Sequence, residues 1–266
     1  MTAPSLVLFG DGSGEPRSIE VSHALRASLL ALRPELDVHI AFLQHNPPTG
    51  LQVARTLAKK GVQEAVFVPL VLSEAFVSDE VAPVLGQIRS TYPNLAVTAS
   101  RPIGPETSLL PVLDRRLREA LRERRVCELD GLVFACAGSP DVRSNALVAR
   151  RARQWANHHK LPCVTAFGRT SGPTTAEAVR TLRAEGRRHI AVGSWFAAPG
   201  ASYLRSVEQA HDAGAIAVST SLGAEPEVVE AILTRYVVAA MDLIDLEPLV
   251  ADVEPSPVRH LSVVGA

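Results

Sequence analysis

Gly12-Ser13-Gly14-Glu15-Pro16-Arg17-Ser18 returns as Gly138-Ser139-Pro140-Asp141-Val142-Arg143-Ser144, an offset of 126 in a chain of 266 residues. Pro48-Thr49 returns as Pro173-Thr174 and Gly61 as Gly186, both at 125, and Gly104 with Glu106 returns as Gly223 with Glu225 at 119. An offset that drifts so little marks an internal duplication. Around each copy, short β-rich runs alternate with amphipathic stretches of about a dozen residues, the pattern of βαβ units about a mainly parallel sheet. Strands are predicted at Ser5–Phe9, Asp37–Leu43, Glu64–Leu70 and Leu95–Ala99, and again at Gly131–Cys136, Cys163–Phe167, His189–Ser194 and Ala215–Ser219. Long helices are predicted at Thr107–Arg124 and Pro226–Met241. The fold class is therefore α/β: two duplicated, flavodoxin-like units, residues 1–125 and 126–241, joined through the charged stretch Arg122–Asp130. A Pro-containing tail covers 242–266.

Composition narrows the function. With 27 basic and 28 acidic residues the net charge is -1. No basic excess is present to displace counterions from a nucleic acid. Lys59, Lys60 and Lys160 are the only lysines, so anion contacts fall to guanidinium forks, which suit carboxylates. No apolar run is long enough to span a bilayer, and no positive charge precedes the first apolar stretch. Cys127, Cys136 and Cys163 have neither disulfide nor zinc spacing, which points to a reducing cytoplasm.

Ligands of open parallel sheets bind beyond the carboxyl ends of the strands. That rule selects Gly10–Arg17, Gln44–Thr49 and Val71–Glu80 in the first unit, and Ala137–Arg143, Gly168–Thr174 and Trp195–Tyr203 in the second. Asp11-Gly12-Ser13-Gly14-Glu15-Pro16-Arg17 resembles the H-G-S-R-x-P-R opening of the class II tetrapyrrole chelatases, the CbiX/SirB group. Val68-Pro69-Leu70-Val71-Leu72-Ser73-Glu74 resembles the group's V-P-L-F-L-S segment, and Phe42-Leu43 with Pro47-Pro48 its F-L-E-x-x-x-P segment. Ala137-Gly138-Ser139 and Phe196-Ala197-Ala198-Pro199-Gly200 extend the likeness through the second unit. The resemblance implies chelatase-like units closing on a cleft, and insertion of Fe²⁺, or less readily Co²⁺, into sirohydrochlorin for sirohaem biosynthesis. The metal is a substrate, no cofactor is held tightly, the partner is the tetrapyrrole, and the chain is a monomer or homodimer.

The departures from the family pattern locate the question. Asp11 stands where the family has its first metal-binding histidine, Ala137 holds the equivalent place in the second unit, and the second histidine falls at about Val77. Metal insertion needs a base near the pyrrole nitrogens and ligands onto which the ion sheds water, and oxygen donors serve Fe²⁺ or Co²⁺. The candidate ligands are Asp11, His45 and Glu74, with Asp11 and Glu74 as candidate catalytic groups. Capping of the following turn is the alternative role for Asp11, and a surface loop the alternative for His45 and Glu74. Asp79 and Glu80 belong at the start of a helix, where negative charge suits the dipole. Candidate substrate-binding residues are Gly12, Ser13, Arg17, Ser139, Arg143 and Trp195, the serines through backbone N–H groups. Tight-turn geometry and core packing are the alternatives for the serines and Trp195. The remaining histidines show no metal spacing: His158 and His159 are placed at a helix C-terminus, where positive charge is welcome. Two functions stand: a chelatase with a substituted ligand set, and a non-catalytic tetrapyrrole- or metal-binding pseudoenzyme. Phosphoryl transfer lacks both a Walker-type Gly-Lys and an aspartate at Phe9.

Overall fold

A computed structural model describes residues 3–12, 14–43, 46–72, 80–168 and 172–244. Two four-stranded, all-parallel sheets form. The first holds β1 (Ser5–Gly10), β2 (Val38–Phe42), β3 (Glu64–Pro69) and β4 (Ala96–Ala99) in the order β2-β1-β3-β4. The second repeats that order with β5 (Gly131–Cys136), β6 (Cys163–Phe167), β7 (Ile190–Trp195) and β8 (Ala217–Val218). Every residue of β1, β5 and β7 is buried. Helices cover both faces of such a sheet, so its central strands read as unbroken apolar runs.

The helices are α1 (Pro16–Leu32), α2 (Gly50–Lys59), α3 (Ala82–Thr91), α4 (Leu110–Glu123), α5 (Val142–His159), α6 (Thr175–Ala184), α7 (Ala201–Asp212) and α8 (Pro226–Ile244). The duplication survives in their caps. Thr49 and Gln52 form a capping box on α2, and Thr174 and Glu177 form its counterpart on α6. Gly12 (φ 70°) and Gly138 (φ 76°) make the same left-handed turn out of β1 and β5, a conformation that glycine adopts without steric cost.

The strands differ from expectation at their ends. β8 keeps only two residues, and β7 starts and finishes one residue later than predicted. Trp195 therefore closes the strand, paired in register with Cys136, rather than opening the loop. A 3-10 turn, Thr107–Leu109, occupies the first part of the helix predicted from Thr107. No helix among the described residues is long and apolar enough to cross a membrane.

Each half lends its last helix to the other. α4 packs on β7 and β8, whereas α8 packs on β3, β4 and α1. One apolar cluster runs from Leu6 and Leu8 through Leu113 and Leu117 to Phe134 and Trp195. Polar bonds fasten the exchange. Arg115 Nη1 and Nη2 donate to the two carboxylate oxygens of Glu227 at 2.8 and 2.7 Å, and Nη2 also reaches Glu225 at 2.8 Å. Those carboxylates raise the Arg115 pKa, Glu227 most, and the Glu227 carboxyl is lowered in turn. Tyr236 donates its hydroxyl to the carbonyl of Pro4 at 2.6 Å, and Arg235 pairs with Glu106.

Candidate functional site

The ends of β1 and β3 and the ends of β5 and β7 meet across a cleft with a cavity of about 160 Å³, lined from both halves. Leu70, Val71 and Leu72 form its apolar side in the first half, and Trp195, Phe196 and Ala197 in the second. Asp11 stands at the end of β1, half-buried and facing this space, with Glu80, also half-buried, across the same lip. A carboxylate in such surroundings is poorly screened, so its attraction for a cation is larger than in water.

The predicted site residues divide. Asp11 lines the cleft, and Gly12 makes the buried turn behind it. Ser13, His45 and Glu74, with Asp79, lie outside the described residues. Ser139 lines the cleft, but its groups are engaged. Its N–H donates to Asn145 Oδ1 at 2.9 Å, its carbonyl accepts from Asn145 Nδ2 at 2.7 Å, and its hydroxyl accepts from the Asp141 N–H at 3.0 Å. The expected anion cradle at Ser139 is therefore corrected: Asn145 fills the place of the ligand. Asn145 was not singled out in the sequence, because it sits six residues on, within α5, and has Ile19 as its counterpart in the repeat.

Arg17 does not line the cleft. Its Nε donates to Glu15 at 2.8 Å, and this bond raises its pKa and lowers that of Glu15. The Arg17 charge nevertheless acts on Tyr203, a lining residue whose pKa burial raises and Arg17 pulls down. Arg143 is exposed on the first turn of α5. Trp195 is 1% exposed and stacks at 5.2 Å on Phe134. It belongs to the core and supports the floor of the cleft rather than standing as an open aromatic wall.

The cleft's chemistry is that of oxygen donors. No histidine occurs among its described lining residues. Cys136 lines it, but burial pushes its thiol up to about 12, and its Sγ donates to the Ala166 carbonyl. A neutral thiol is a poor metal ligand. The arrangement can bring a divalent ion to a carboxylate at the edge of a largely apolar cleft.

Comparison with known proteins agrees with this architecture. The CbiX family model matches residues 5–120 and 131–239, one match in each half. The sirohydrochlorin cobaltochelatase of Priestia megaterium is 25% identical over 214 residues, 77% of this chain and 67% of that protein. The sirohydrochlorin chelatase SirB from Bacillus subtilis subspecies spizizenii, in complex with cobalt, superposes with a TM-score of 0.71 at 18% identity, covering 92% of this chain and 98% of that one. SirB from Bacillus subtilis with Fe³⁺ gives 0.69 at 19% identity over the same shares. At these identities the solved structures speak for the fold, and the family match speaks for descent. The chain belongs to the CbiX family.

Proposed function

We propose that the protein is a sirohydrochlorin chelatase in which oxygen donors and a lone imidazole replace the family's imidazole pair, with Fe²⁺ or Co²⁺ as the second substrate. The observation that carries this reading is Asp11, held at the end of β1 where two family-matched halves open onto one cleft. The macrocycle lies against the apolar sides of the cleft, and Asp11 meets the incoming ion at its nitrogens. As the metal–nitrogen bonds form, the two inner pyrrole protons leave, one at a time, through the Asp11 carboxylate to solvent. Glu80 adds negative charge on the same lip. Glu74 and His45 follow β3 and β2 in sequence, the strands that flank β1, and complete the proposed donor set. Ser13 follows Gly12 in sequence, and the proposal gives its backbone N–H a substrate carboxylate to bind. To Arg17, whose charge acts on Tyr203, and to Arg143, exposed on the first turn of α5, the proposal assigns the peripheral carboxylates.

The test follows sirohydrochlorin absorbance with Fe²⁺ and, separately, Co²⁺. Insertion above the uncatalysed rate is expected, and Asp11→Ala should lower it by about 100-fold or more, the scale of a lost acid–base group. Competition between the two ions ranks them. The absence of histidine from the described lining favours one other reading, a tetrapyrrole carrier. A spectral shift on mixing without metal incorporation would establish that reading and exclude turnover.

A further inference from the structure

Asp114 of α4 and His158 and His159 at the end of α5 each bring one donor atom to a common point, all within 4.8 Å of one another. Successive helical residues point about 100° apart, so neighbouring imidazoles ordinarily diverge. Here α5 stops at His159, Lys160 turns left-handed (φ 54°), and the two rings meet with centroids 5.1 Å apart. His159 Nε2 and Asp114 Oδ1 are both buried and paired at 2.7 Å, yet they are not aligned as a hydrogen bond, and neither has another hydrogen-bond partner among the described residues. Two buried polar atoms left in this state call for an explanation. The second Asp114 oxygen accepts from Arg118, and the Trp155 ring stands edge-on to His159 at 5.4 Å, so both donors are oriented from behind. Carboxylates and imidazoles that bind metals are commonly held by such outer contacts.

We propose that Asp114, His158 and His159 bind a divalent transition ion of the class that imidazole favours, Zn²⁺, Co²⁺ or Ni²⁺, at a site separate from the cleft. A tetrahedral ion with ligands at 2.0–2.1 Å separates them by about 3.3 Å, between the 2.7 Å of the closest pair and the 4.8 Å limit of the cluster. Small side-chain rotations close that difference. His158 is exposed and gives the ion a way in, with a fourth position left to water. The C-terminal dipole of α5 favours a cation here and opposes the repulsion from Arg118. Asn145, which lines the cleft, lies roughly 20 Å away along the same helix. The ion would tie α4, lent by the first half, to the second half's own α5.

Co²⁺ titration of the full chain, read by visible d–d absorption and equilibrium dialysis, decides the matter with Asp11→Asn, His158→Ala and His158→Ala/His159→Gln variants beside wild type. Wild type and Asp11→Asn should both show a Co²⁺ band of tetrahedral character, and Zn²⁺ should raise the Tm of both. In His158→Ala the affinity of that band should fall at least 10-fold and the Zn²⁺-dependent rise in Tm should disappear. The double variant should lack the band. His158 is exposed, so its single variant remains decisive even where His159→Gln fails to fold. Unchanged Co²⁺ affinity in His158→Ala, or a band lost in Asp11→Asn instead, would overturn the proposal. Because Asp11→Asn disables only the proposed cleft chemistry, a failed chelatase assay leaves this result interpretable.

Discussion

At the end of β1 the first half places Asp11, and at the matching end of β5 the second half places Ala137. Glu80, just ahead of α3, corresponds to Pro199, just ahead of α7. The backbone is repeated, but the acidic groups of the described cleft stand on one lip, and the facing lip is neutral. A duplicated chain can divide labour in a way that two identical subunits cannot. One lip is free to keep the reactive group while the other becomes a surface for the macrocycle. The sharpest way to break this comparison is to move the carboxylate. Asp11→Ala should abolish most insertion, as above, and adding Ala137→Asp to it should restore under a tenth of the rate, because no counterpart of Glu80 stands beside it. Full rescue would mean that the halves are equivalent.

The second difference is one of volume. Trp155 and Gly193 correspond in the repeat to Leu29 and Val68. A large side chain on α5 has been accommodated by removing one from β7, and a methyl added at Gly193 would lie 2.6 Å from the Trp155 ring. Gly193→Ala is expected to cost about 1–3 kcal/mol, the usual range for overpacking a dense core, seen as a lower urea midpoint. Pairing Gly193→Val with Trp155→Leu, which copies the first half, should recover much of that loss.

A smaller contrast separates the entries to α1 and α5. Asp141 caps α5 by accepting the N–H groups of Arg143 at 3.1 Å and Ser144 at 2.9 Å. Glu15, in the same place before α1, turns to Arg17 instead, and Pro16 leaves one fewer N–H to cap. Asp141→Ala should cost about 0.5–2 kcal/mol in urea unfolding, and Glu15→Ala should leave the unfolding midpoint unmoved.

These contrasts also show what the sequence makes legible. β5 and β6 stand where the apolar runs place them, since a strand buried between helices announces itself without any partner being known. Gly12 and Gly138 were readable because a left-handed turn constrains the residue type directly. An amphipathic pattern says that α4 and α8 bury a face, but not against which sheet, so the helix exchange was not legible. The same reason hid the clasp of Asn145 on Ser139, which depends on how α5 leaves its turn. His158 and His159 showed no metal spacing because their third partner, Asp114, comes from the helix lent by the other half. The place of Asp11 directly after β1 was legible because the strand ends in an apolar run and Gly12 follows with a left-handed turn.

The finest contrast lies at the start of the central strands, where Asp130 precedes β5 and Pro4 holds the corresponding place before β1. Asp130 accepts the N–H groups of Arg188 and His189, both at 2.8 Å, and so fastens the start of β7 to that of β5. The Arg188 N–H lowers its pKa most, partial burial opposes this, and the His189 N–H with the charges of His189 and Arg187 lowers it further. A carboxyl depressed on folding stabilises the native state fully above the unfolded value of about 3.9, and that contribution is lost as pH falls through the lower native value. Pro4 cannot titrate, so this clasp has no counterpart at the start of β1; the lowered carboxyl of the first sheet is Asp37, which accepts from the Ser5 hydroxyl instead. The urea midpoint of Asp130→Asn should lie slightly below wild type at pH 7, and the gap should narrow as pH falls below the unfolded value of about 3.9 and close once the wild-type carboxyl has taken up its proton. A gap of the same size throughout that range would show that the two N–H bonds hold the strand through shape rather than charge.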